Sequence, residues 1–373
     1  MIILQRARVL VLVTGLAALL SSACAHGTAA HTTPVREGVA HVPPAIAAPA
    51  AQAAAPAAPA APAKVPPAEL FEVARVVDGD TIWVQRNGKV EKLRLLSVDT
   101  EELISAGSAR ADSTKPPTVF GEECALWARE FFAALAEPGQ PARVGLAFPG
   151  GSEKRDLYGR LLCDVILPDG TNFNLMLVET GKSPYFTKYG WSEIDHAAYV
   201  AAQKQAQARK IGIWDPKTNM PKTPGVPAAK RPYERLLPWW DARGLAVESF
   251  RKAASRAGSE VCDTEDPEAL ARAARAGGVI ACFGEIFRVK DQEDGSALVH
   301  FRASGGKNAL VVRVPQSVLA QPWPFDLRST AEEFHQNYVW LQTRVEVDPR
   351  GGFRAVSEDP KAWRLAGPEP RLP

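Results

Sequence analysis

Three short polar clusters hold the side chains most able to do chemistry in this chain. They are Asp78-Gly79-Asp80-Thr81, then Arg94 followed by Asp99-Thr100-Glu101-Glu102, then Asp156-Leu157-Tyr158-Gly159-Arg160. Asp80 and Asp99 are hard oxygen donors, suited to a Ca²⁺-like ion that keeps several waters. Arg94 and Arg160 offer planar, permanently charged forks that match phosphate oxygens. Glu102 is left as a carboxylate for a water. These residue types suit a phosphodiester, whose non-bridging oxygens gain charge as water attacks and need cations around them. Taken singly, each cluster also reads as a tight turn, a solvated strand end or a loop.

The elements around the clusters must bring them together. Residues 70–77 are apolar and β-branched, residues 81–85 alternate, Asn87-Gly88 is a hairpin signal, and residues 92–98 alternate again, which predicts a three-stranded meander. Residues 121–136 place Cys124, Trp127, Phe131, Phe132 and Leu135 at helical spacing, and Pro138-Gly139 ends that helix. Residues 143–148 and 161–167 read as strands, and residues 172–180 and 192–209 as helices. Five strands with interleaved helices predict a small closed barrel of oligonucleotide-binding type, in a mainly β chain of the α+β class.

The three clusters, in this order and at this spacing, resemble the staphylococcal nuclease (thermonuclease) family. Its pattern is DGDT, then R-x-x-x-x-D-T-P-E, then D-x-Y-G-R, then a closing G-x-W, which Gly212-Ile213-Trp214 supplies here. The resemblance covers about residues 70–215. It implies that Asp80, Asp99 and the carbonyl of Thr100 hold Ca²⁺, and that Glu102 positions or activates the attacking water. It also implies that Arg94 and Arg160 clamp the phosphate, with Arg160 facing the leaving oxygen, in endonucleolytic cleavage of DNA and RNA to 3′-phosphates. Two departures stand out. Glu101 occupies the proline position, and the added charge is expected to loosen the turn that aims Glu102. Leu157 stands where a lysine is common. Tyr158, Tyr185 and Tyr189 are candidates for stacking on bases and Lys182 for attracting phosphate, with barrel-core packing as the other reading of Tyr185.

The ends of the chain add context. Arg6 and Arg8 precede the apolar residues 9–20 and the small residues before Cys24, the order of a secretory signal over residues 1–24. Its end resembles a bacterial lipoprotein box, so Cys24 would be lipidated and tether the chain to a membrane facing the periplasm or cell surface; cleavage after Ala25 and simple secretion is the other reading. Nine of the 31 prolines fall in residues 25–67 among alanines, which predicts an extended spacer. A net charge of +2 means any nucleic-acid site arises from local placement of cations. The spacings suit no small-molecule cofactor or zinc site.

After a nuclease-like domain at residues 68–216 and a linker at 217–240, residues 241–366 predict a second, smaller α+β domain. Two helices in front of five strands predict a barrel of the same type. No catalytic constellation lies in it. Cys262 and Cys282 are the better candidates for a disulfide in an exported chain. Two functions compete: a calcium-dependent nuclease acting on DNA and RNA, and a catalytically silent nucleic-acid- or protein-binding lipoprotein.

Overall fold

Alternating burial in the first hairpin shows how the sequence builds the barrel. The computed structural model describes residues 64–104, 114–156, 158–220, 229–303 and 309–373. The expected signal, the expected lipidation at Cys24 and most of the expected Ala/Pro spacer fall outside those residues. Strand β1 (Phe71–Val76) leads to β2 (Thr81–Arg86) and β3 (Lys89–Leu95). Ile82, Val84, Leu93 and Leu95 point into the core while their neighbours face out. Asn87 and Gly88 turn the hairpin with positive φ at both positions, the geometry that matches strand twist.

Two short strands, β4 (Glu102–Leu103) and β5 (Pro117–Thr118), pair in parallel and deliver the chain into α1 (Val119–Leu135). Thr118 caps that helix by accepting the Gly121 amide. The barrel continues with β6 (Arg143–Ala147), β7 (Lys154–Arg155) and β8 (Leu161–Ile166), followed by α2 (Phe173–Glu179) and α3 (His196–Arg209). The strand order β3-β2-β1-β6-β8 closes on itself through β3–β8, which gives the five-stranded barrel that was expected. Phe132, Phe173, Leu177 and Tyr199 from the helices seal its core.

The stretch read as a linker up to residue 240 is partly helix. Helix α4 (Tyr233–Ala254) runs straight through Pro238. A proline removes one ladder hydrogen bond and usually ends a helix. Here Leu236, Trp239 and Trp240 are buried on either side of it, and their packing against Phe186 and Phe334 outweighs that loss. The other end of α4 packs Ala246 against Phe283, Tyr338 and Trp340. One helix therefore joins the two halves.

The C-terminal half comprises β9 (Val261–Asp263), α5 (Pro267–Ala276), β10 (Val279–Asp291), β11 (Ala297–Phe301), β12 (Leu310–Val314), α6 (Gln316–Leu319), β13 (Tyr338–Arg344), β14 (Glu346–Val347), β15 (Phe353–Val356) and β16 (Trp363–Leu365). The five expected strands are present, and β9, β14 and β16 extend the sheet to eight in the order β14-β15-β12-β11-β10-β13-β16, with β9 beside β10. The long β10 pairs with β13 over its first half and with β11 over its second, with an irregularity between. Cys262 and Cys282 sit at paired positions of β9 and β10. They are free thiols rather than the expected disulfide, as are Cys124 and Cys163. Both pack as small apolar side chains in the C-terminal core. A hydrogen bond to Cys262, together with burial, pushes the Cys282 thiol up.

Candidate active site

The register of the β2–β3 hairpin sets the centre of the site. It pairs Thr81 with Arg94, so Arg94 on β3 lies beside Asp80 at the start of β2. Asp99 follows the end of β3, where the Ser183 hydroxyl accepts its amide hydrogen bond at 2.8 Å. Arg94 then spans both carboxylates, with Nη1 2.5 Å from Asp80 Oδ1 and Nη2 2.6 Å from Asp99 Oδ1. The other Asp80 oxygen accepts the Thr100 amide at 2.9 Å. Asp78 takes the Asp80 amide, and burial, reinforced by Asp80, pushes its own carboxyl up to about 7.

Asp156 organises the third cluster. Its Oδ1 accepts the Tyr158 and Arg160 amides, both at 2.9 Å, and its Oδ2 accepts Arg160 Nε at 2.7 Å. The loop and its guanidinium are thus held by one carboxylate, with Arg160 5.5 Å from the centroid of the Tyr158 ring. Glu102 reaches the site from β4, its side chain 44% exposed, and burial raises its carboxyl against the pull of Lys115. The approach of β4 depends on Gly121: a Cβ there would lie 2.1 Å from the Glu102 carbonyl oxygen.

One cleft of about 340 Å³ gathers these groups, lined by Asp78, Asp80, Arg94, Glu102, Tyr158, Arg160 and Tyr189 among others. Two candidates lie elsewhere. Tyr185 is buried in the barrel, stacked on Tyr199 and bonded through its hydroxyl to His196 Nδ1, so it packs the core and does not face the cleft. Lys182 lies 4.6 Å from the Trp127 ring and 5.9 Å from Phe120, on the α1 side, where those rings hold its ammonium.

The structure adds two cations that motif reading missed. Lys115 Nζ is 2.6 Å from Asp99 Oδ1 and 3.7 Å from Glu102 Oε1. Arg231, from the stretch before α4, has a side chain only 1% exposed and donates Nη2 to Asp99 Oδ2. Its Nη1 bonds the Asp99 carbonyl at 2.9 Å and its Nε the Thr114 carbonyl at 3.0 Å. Burial pushes the fully enclosed Asp99 carboxyl up, but Lys115, Arg231 and Arg94 outweigh it and hold it well below the usual range. Neither cation lies in a family motif, and nothing in local spacing marks them.

The expectation for Glu101 is also corrected. It is buried and anchored, accepting Thr118 Oγ1, Asn219 Nδ2 at 2.7 Å and Tyr233 Oη at 3.1 Å. The charge tightens the turn because three donors meet it, two of them from beyond Trp214.

The donor chemistry fits a hard divalent ion. Asp80 and Asp99 are brought within the span of one guanidinium, and the Lys115 ammonium bridges Asp99 and Glu102, so three carboxylates already converge on positive charge. Among the described residues, no three acidic, histidine or cysteine side chains form a cluster that could hold a metal without some rearrangement.

Comparison with known proteins agrees with this geometry. Residues 92–216 match the family described as "Staphylococcal nuclease homologue". The chain is 30% identical over 152 residues to the "Thermonuclease" of Staphylococcus intermedius, an alignment covering 39% of this chain and 77% of that protein. It is 36% identical over 154 residues to "Endonuclease YhcR" of Bacillus subtilis (strain 168), covering 40% of this chain but only 12% of that longer protein. An "Uncharacterized endonuclease" of Escherichia coli O157:H7 is 26% identical over 142 residues, 38% of this chain and 74% of the relative. With its closed barrel and its acidic and guanidinium groups gathered at one cleft, the chain belongs to the staphylococcal nuclease family and is a nuclease, a phosphodiester hydrolase.

Proposed function

We propose that this nuclease is an exported endonuclease that uses calcium to cleave DNA and RNA, leaving 3′-phosphates, and is tethered to a membrane through a lipid on Cys24. The observation that supports it best is the convergence of Asp80, Arg94, Glu102, Tyr158 and Arg160 on one cleft from three separated stretches. Asp80, Asp99 and the Thr100 carbonyl would hold the ion. Bound there, calcium supplies Lewis-acid stabilisation of charge on the phosphate oxygens.

The chain's own residues do the rest. Glu102, raised by burial and half exposed, accepts the proton of the attacking water. Arg160, aimed by Asp156, donates to the phosphate and to the leaving oxygen. Arg94 links the two carboxylates and keeps positive charge beneath the phosphate. Tyr158 and Tyr189 flank the cleft as stacking surfaces. Export is supported by the N-terminal charged, apolar and small-residue order and by the spacer that follows it.

The test is cleavage of plasmid and single-stranded substrates by the purified chain. Calcium-dependent cleavage that a chelator stops is expected, with Arg160→Ala and Glu102→Gln each slowing it by about 10²-fold or more while the fold survives. Binding without cleavage under any metal condition overturns the proposal.

A further inference from the structure

Contacts run from Tyr189 at the cleft into the C-terminal half. Arg243 of α4 donates Nε to the Lys188 carbonyl at 3.2 Å, and its guanidinium lies 5.9 Å from the centroid of the Tyr189 ring. Arg243 Nη2 is 3.1 Å from Glu285 Oε2 on β10. Arg302, just after β11, holds the same carboxylate, with Nε 2.6 Å from Oε2 and Nη2 3.1 Å from Oε1. The Arg302 guanidinium in turn lies 5.4 Å from the Phe287 ring. An unbroken run of contacts therefore leads from Tyr189 at the cleft to Phe287 on the C-terminal sheet.

Both ends of that run present bare aromatic surface. Tyr189 is 53% exposed and Phe287 58%, while Tyr158 across the cleft is 75% exposed. Large aromatic rings normally bury their area, and three along one track match the stacking platforms that single strands use. The charge has the right sign. Arg302, its side chain 28% exposed, is the cation between the rings, Arg243 lies fully buried beneath it against Glu285, and burial pushes the neighbouring Glu265 carboxyl up to about 7, which weakens its negative charge near neutral pH. Aromatic faces with cations between them suit unpaired bases and their phosphates; a paired duplex keeps its base faces stacked inside the helix.

We propose that Tyr189, Arg302 and Phe287 form an extended subsite for single-stranded nucleic acid, through which the C-terminal half feeds an unpaired strand to the catalytic cleft. The proposal rests on the nuclease reading of that cleft and gives the second half a purpose: it sets substrate length and strandedness.

The experiment uses the full chain, its Phe287→Ala variant, and Phe287→Trp as the conservative rescue. KM is compared for a twenty-nucleotide single strand, a trinucleotide and a blunt duplex of the same sequence. Fluorescence anisotropy of the labelled twenty-nucleotide strand is followed in parallel without calcium. Loss of one stacked base should weaken the long strand by about fivefold or more, erasing much of its advantage over the trinucleotide, with tryptophan restoring it. An unchanged long-to-short KM ratio in Phe287→Ala, or equal losses on strand, trinucleotide and duplex, overturns the subsite. If no form cleaves anything, the catalytic reading fails instead, and the anisotropy still decides: equal affinity of wild type and Phe287→Ala refutes the subsite, and weaker binding by Phe287→Ala upholds it.

Discussion

Replacing Arg231 with methionine tests whether the stretch beyond the family match is part of the site. Methionine keeps roughly the stem and removes the fork. Three buried acceptors then lose their donors: one Asp99 carboxylate oxygen, the Asp99 carbonyl and the Thr114 carbonyl. Breaking a buried ion pair by deleting one partner costs about 3–5 kcal/mol. Asp99 keeps Arg94 and Lys115, so its charge is not abandoned, and about 3 kcal/mol is the appropriate figure. At about 2–4 °C per kcal/mol for a large domain, the melting temperature falls by about 6–12 °C. Cleavage at a temperature where the variant is folded also falls, because Asp99 helps to fix Arg94. Arg231→Lys keeps the charge but cannot reach three acceptors, so it should recover only part of both losses. Thermal unfolding and cleavage rates of the three proteins decide the matter. Wild-type melting in Arg231→Met, or full recovery in Arg231→Lys, refutes the argument from the fork.

Two further outcomes follow from the same geometry. Gly121→Ala forces a Cβ against the Glu102 carbonyl, so β4 must shift; the cleavage rate should drop at least tenfold while circular dichroism stays native, and an unchanged rate would show that Glu102 is not aimed through this contact. Lys188 lines the cleft, and burial together with Arg243 lowers its ammonium to about 8. Its charge is present below that pH and lost above it, so KM for nucleic acid should rise by about fivefold on going from pH 7 to 9, an increment absent in Lys188→Met.

Much of the catalytic half was legible because its signals are local. Alternation in β2 and β3, the Asn87-Gly88 turn and the helical spacing of α1 act over a few residues, and the motif carboxylates and guanidiniums sit at the ends of those elements. The register of one hairpin brings Arg94 to Asp80, so convergence follows from order and spacing alone. The first two turns of α4 were hidden because Pro238 reads as a stop, and only packing on both halves overrides that local rule. Tyr185 and Lys182 show the converse. A residue type fit for binding is spent on the core in one case and on a neighbouring indole in the other.

The amino-acid order by itself determined the closed barrel, the family and the side chains offered to a phosphate, since each is written in short-range pattern and residue type. Tertiary structure decided how those groups are charged and held. Asp99 is paired with Lys115 and Arg231, and Glu101 is pinned by Asn219 and Tyr233, contacts that span up to 132 positions of chain. Such long-range electrostatics depend on which surfaces are brought together and emptied of water, which no local spacing encodes.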